Sequence, residues 1–77
     1  MEKYTANEKE FLQLMGRQIQ KTRKAKGMIQ EEIAAITNSE KANLSRIESG
    51  KTNSTIMTIK KIAEAMQVPV ADLIVNL

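Results

Sequence analysis

Lys41, Asn43, Ser45, Arg46 and Ser49 fall on one side of residues 41–49 when that stretch coils as a helix; Leu44 and Ile47 fall on the other. The polar side offers hydroxyl and amide groups and two cations, with no acid, because Glu48 lies on the inner side beside Ile47. Such a face suits the base edges that line a DNA major groove. Arg bridges guanine O6 and N7, and Asn pairs with adenine. Catalytic chemistry finds much less to use. The chain has no His and no Cys, so it lacks the usual acid–base, metal-ligating and thiol groups. Glu31 and Glu32 are adjacent acids at a helix start, where the dipole favours them, and adjacent helical residues point apart. Ser45 has no base in reach along the sequence, and no Gly-rich phosphate loop occurs. The expectation is a protein that is not an enzyme and needs neither metal nor cofactor.

The elements that must position these groups are helical. Met1 to Ala6 reads as a short arm. Two overlapping capping boxes, Thr5 with Glu8 and Asn7 with Glu10, mark the first helix start. That helix runs to about Lys26, with Phe11, Leu12, Met15 and Ile19 as its apolar stripe, and Gly27 ends it with a positive φ. A second helix covers about Gln30 to Ile36, with Ile33 and Ala34 inward. Asn38 sits where the following turn needs a left-handed residue, which Asn tolerates. The third helix follows Ser39 or Glu40 and ends at Ser49, before Gly50. Lys51 to Ser54 is a polar loop. Thr55 caps a fourth helix, in which Ile56, Ile59, Ile62, Ala63 and Met66 repeat at helical period. Val68–Pro69 breaks it, and Val70 to about Val75 forms a last short helix. The fold class expected is all-α: five helices in a compact domain.

Length allows one domain, residues 1–77. A chain this small buries only about 60% of its unfolded surface. Its core must come from Ile, Leu, Met and Val, because there is one Phe, one Tyr and no Trp. The absence of Cys fits a reducing cytoplasm, and no apolar run approaches the roughly 20 residues that span a bilayer. Neither a signal peptide nor a membrane partner is expected, nor is a small-molecule ligand evident. Net charge is +3 with a pI near 9.4, which tilts toward an anionic partner. The Lys21, Arg23, Lys24 and Lys26 cluster is read first as cations placed well at a helix C-terminus.

Arg23, Lys26–Gly27, Gln30–Glu31–Glu32, Ala34, the run Leu44 to Lys51, and Lys61 to Ala65 form an ordered pattern. With it the chain resembles the phage repressor and Cro-like, or lambda-repressor-like, helix-turn-helix domains of bacterial transcription regulators. The resemblance covers roughly Met15 to Leu73 and places the helix-turn-helix at about residues 30–49. It implies that Lys41, Ala42, Asn43 and Arg46 contact bases. It implies that Gln30, Ser49, Lys51 and Asn53 lie along the DNA backbone, with Gln30 also bracing a side chain of the third helix. Arg23 and Glu48 would pair to tie the first helix to the third, a structural role, since burying either charge alone is costly. Three features depart from the family pattern. Ile29 stands where a Ser or Thr cap is usual. Thr22, Thr37 and Ser39 replace apolar residues, and Asn38 replaces the turn Gly.

The function implied is a sequence-specific DNA-binding transcriptional regulator, a repressor or small controller protein. It would bind a two-fold-related operator in double-stranded DNA as a homodimer, in a bacterial cytoplasm and from a bacterial or phage gene. The alternative is a protein–protein interaction module or antitoxin on the same scaffold, for which an apolar or acidic outer face on the third helix would speak. Leu73 is expected in the core. Ile74, Val75 and Leu77 follow too closely to share that direction, so they are the expected dimer interface. Their other use would be packing against the first helix or the arm, near Phe11 and Tyr4.

Overall fold

The computed structural model describes residues 3–74. Four α-helices follow one another: α1 (Ala6–Ala25), α2 (Gln30–Ile36), α3 (Lys41–Glu48) and α4 (Ile56–Ala65). A 3-10 turn at Val70–Leu73 closes the described chain. The count is therefore four α-helices and one tight turn rather than five helices. The last expected helix, Val70 to Val75, is this 3-10 turn ending at Leu73, and Val75 lies outside the described residues. No strand occurs among the described residues.

Local chemistry sets the boundaries. Thr5 caps α1: its hydroxyl accepts the Glu8 N–H at 3.1 Å while the Glu8 carboxylate accepts the Thr5 N–H at 2.9 Å. Of the two overlapping boxes only this one forms, and Asn7 lies inside the helix. α1 stops at Ala25, and the Lys26 N–H bonds back to the carbonyls of Thr22 and Arg23. Gly27 then takes φ +69°. Between α2 and α3, Asn38 adopts φ +54°, and the Ser39 N–H returns to the Ala34 carbonyl at 2.9 Å. Thr37, half-buried at the C-cap, has its hydroxyl 2.9 Å from the Ile33 carbonyl and 2.8 Å from the Ser39 hydroxyl, so the turn itself satisfies this polar residue. Thr55 caps α4 by accepting the Thr58 N–H. That helix ends before Val68–Pro69 is reached, because Gln67 turns left-handed at φ +60°.

The core is aliphatic. Ile19 of α1, Ile33 of α2, Leu44 and Ile47 of α3, and Ile59, Ile62 and Met66 in and just after α4 converge on Leu73. Each such side chain contributes about 1.5–3 kcal/mol when fully buried. Three residues of the expected stripes stay outside it: Phe11 is 50% exposed, Ile56 69% exposed, and Leu12 is half-buried away from the core cluster. The buried seam of α1 runs through Gly16, Ile19 and Arg23, so Phe11 sits off its edge. Ile56 is the first residue of α4 and projects beyond the core.

Gly16 brings α1 against the end of α3. A Cβ there would collide with the carbonyl oxygens of Ile47 and Glu48. Gly50, at φ +74°, meets the same helix one turn earlier, where a Cβ would stand 2.7 Å from the Gln13 Cα. The C-terminus of α3 therefore rests on the backbone of α1. At the opposite flank, the Gln18 amide donates to the Asp72 carbonyl at 3.0 Å and ties α1 to the 3-10 turn.

Candidate nucleic-acid interface

The proposed reading helix is held from behind by a buried polar network. The Arg23 guanidinium forks onto Glu48, with Nε donating to Oε2 at 2.7 Å and Nη2 to Oε1 at 3.0 Å. Arg23 is 7% exposed and Glu48 5%. A third donor of Arg23, Nη1, reaches the Met28 carbonyl at 2.9 Å. Gln30 completes the set, its Nε2 donating to Glu48 Oε1 at 3.0 Å. A carboxylate only accepts, so the amide must present its NH2 group here. The hydrogen bond to Glu48 raises the Arg23 pKa above its ordinary value, and the group stays charged. No buried side-chain nitrogen or oxygen among the described residues lacks a partner. The network joins α1, the loop before α2, the start of α2 and the end of α3. Breaking one partner of such a pair costs about 3–5 kcal/mol. That is a large share of the roughly 4–12 kcal/mol expected for a chain of this length.

The other side of α3 faces outward. Lys41, Ala42, Ser45 and Arg46 are exposed, while Leu44, Ile47 and Glu48 are buried. No acid lies among the outward residues of this helix. Lys41 is steadied by Glu31 of α2, Nζ to Oε2 3.5 Å, in an exposed pair. Glu31's carboxyl is held below its ordinary pKa first by a hydrogen bond from its own backbone N–H, with Lys41 adding to the effect. The sequence reading placed Glu31 only at a helix dipole; its contact with Lys41 depends on the crossing of α2 and α3, which local spacing does not encode.

Asn43 is half-buried and lines a small cavity, about 120 Å³, together with Ile33, Thr37, Ser39, Leu44 and Thr58. Ser49 is exposed, but its hydroxyl donates to the carbonyls of Ser45 and Arg46 at 3.0 and 3.1 Å. It must turn to donate elsewhere. Lys51 and Asn53 are exposed in the loop after α3, and the Lys51 N–H bonds to the Arg46 carbonyl at 2.9 Å, fixing that loop to the helix end. Gln30 keeps one amide N–H and its carbonyl beyond the bond to Glu48. The fold thus gathers Gln30, Lys41, Ala42, Arg46, Ser49 and Lys51 around α3. Of the expected dimer residues, Ile74 is 42% exposed, and Val75 and Leu77 lie outside the described residues.

No helix among the described residues is long and apolar enough to cross a membrane. The helix-turn-helix family HTH_3 matches residues 19–73. An uncharacterized HTH-type transcriptional regulator, y4dJ, from Sinorhizobium fredii is 33% identical over 61 residues, 79% of each chain. The restriction-modification controller protein C.AhdI from Aeromonas hydrophila superposes with a TM-score of 0.78 at 27% identity, covering 80% of this chain and 94% of that one. An HTH_3 family transcriptional regulator from Vibrio cholerae gives a TM-score of 0.82 at 29% identity. There the match takes 90% of this chain and 39% of the longer protein. With the matching family spanning most of the length and the helix-turn-helix in place at α2 and α3, the chain belongs to the Cro-like HTH_3 family of DNA-binding transcription regulators.

Proposed function

We propose that the protein regulates transcription as a homodimer that inserts α3 of each copy into the major groove of a two-fold-related operator. The observation that carries this reading is the division of α3. Its inner side is locked to α1 by the Arg23–Glu48–Gln30 network, and its outer side is polar, exposed and free of acids. A rigid helix with such a face can hold hydrogen-bond geometry to base edges. Arg46 is the central base reader, with Lys41 and Ala42 at the leading end; Asn43, half-buried beside Thr37, Ser39 and Thr58, reads a base by turning its amide out of the cavity they line. Gln30, Ser49, Lys51 and Asn53 hold the backbone, Ser49 by turning its hydroxyl and Gln30 with its second amide proton. A partner-binding use of α3 would want apolar groups outside, whereas Leu44 and Ile47 are both spent in the core.

Selection of bound sites from random DNA gives the operator half-site and its spacing. On the best site, Arg46→Ala should cost about 1–3 kcal/mol and relax preference at one base pair. Competition assays that find sequence preference unchanged in this variant would remove Arg46 from base reading.

A further inference from the structure

A second cationic feature lies beside α3, outside the helix-turn-helix. The arm residues Lys3 and Tyr4 and the loop residues Lys51, Thr52 and Asn53 line one open cleft of about 290 Å³. Two Lys, a Tyr, a Thr and an Asn line it, with no acid among the described lining residues. The arm does not hang free at this point. Thr5 is fixed by its capping box with Glu8, which also commits the Glu8 carboxylate to a backbone N–H. The Lys3 Nζ lies 5.5 Å from the centre of the Tyr4 ring, a contact that keeps the ammonium near the cleft. The loop wall is equally well held, through the Lys51 N–H on the Arg46 carbonyl and through Gly50 against Gln13. Both walls are therefore referenced to the crossing of α1 and α3.

We propose that this cleft grips one DNA backbone phosphate, with Lys3 and Lys51 converging on it from opposite walls. The inference rests on the DNA-binding reading above and adds the arm to the interface. The two cations and the neutral donors among the described lining residues match a phosphodiester, and an open cleft suits a group that remains part of a polymer. Continuity with α3 gives the DNA as the source of the phosphate, since Lys51 follows the reading helix directly.

The test is phosphate-ethylation interference on the selected operator, with the full chain and its Lys3→Ala and Lys51→Ala variants. Wild type should show, in each half-site, a phosphate whose ethylation blocks binding, and that same phosphate should become indifferent in both variants. The double variant should lower the slope of log affinity against log salt by about two units for the bound homodimer, one for the single phosphate shared by Lys3 and Lys51 in each half-site. Lys24→Ala, outside the cleft, should leave the interference pattern intact. Within one half-site, loss at one phosphate in Lys3→Ala and at a different one in Lys51→Ala, or a Lys3→Ala pattern identical to wild type, overturns the proposal while DNA binding stands. Failure of the wild-type chain to select any DNA would instead overturn the reading on which it rests.

Discussion

Gly16 has the tightest position of the three glycines, since any side chain there meets the backbone of α3. Gly16→Ala must push the two helices apart, so it should destabilise by about 1–3 kcal/mol, lowering Tm by roughly 10 °C for a domain of this size. Gly27 offers the comparison. It has open space around its missing Cβ but a φ of +69°, so Gly27→Ala should lose only the left-handed penalty, about 1–2 kcal/mol. Thermal unfolding of both variants checks the assignment; a Gly16→Ala protein as stable as wild type would mean that α1 and α3 do not touch there. Gly16 has no role legible in the sequence, because spacing reports which side chains are apolar and says nothing about where another backbone passes. The Arg23–Glu48 pair was accessible from the resemblance, and the role of Gln30 as a brace for α3 came with it. The Met28 carbonyl, the third acceptor on Arg23, was not, since a backbone group carries no residue-type signal.

Helix ends were the most legible feature, for reasons that lie in single residues. Gly27, Asn38 and Gly50 each turn left-handed where these residue types announce it, and Thr5 and Thr55 cap with their hydroxyls. The close of α4 was less legible, because Gln67 takes a left-handed φ that Gln gives no hint of. α2 has the weakest start. Ile29 at its N-cap has no acceptor to offer, although Glu32 supplies the returning half of a capping box by accepting the Ile29 N–H at 2.9 Å. Ile29 is 55% exposed, so little packing is lost on replacing it. Ile29→Thr or Ile29→Ser should complete the box and raise stability by about 0.5–1 kcal/mol. Urea unfolding reads this directly as a higher midpoint at unchanged slope. A lower midpoint would show that the Ile29 side chain contributes more through packing than a cap returns.

At the scale of the whole molecule, one copy is a small object for a specific DNA site, since single modules cover only about 600–1,000 Å². Pairing two reading helices one turn apart, about 34 Å, is the usual remedy. Leu73 is fully buried and its neighbour Ile74 is 42% exposed, which leaves an apolar residue at the end of the described chain. Sedimentation should show a dimer at micromolar concentration. Ile74→Asp with Val75→Asp should return it to monomer and weaken operator binding while the helical circular dichroism stays unchanged. A double variant that remains dimeric would move the interface, with the exposed Ile56 and Met57 of α4 as the next surface to alter. The division of α3 has a consequence over longer times. The side chains that keep the helix in place, Leu44, Ile47 and Glu48, are different from the exposed Lys41, Ala42, Ser45 and Arg46. On the proposed reading, mutations can therefore rewrite the outward set and redirect the protein to another DNA site without first passing through an unfolded ancestor. A lineage built on this scaffold is free to diversify its targets quickly while its architecture stands still.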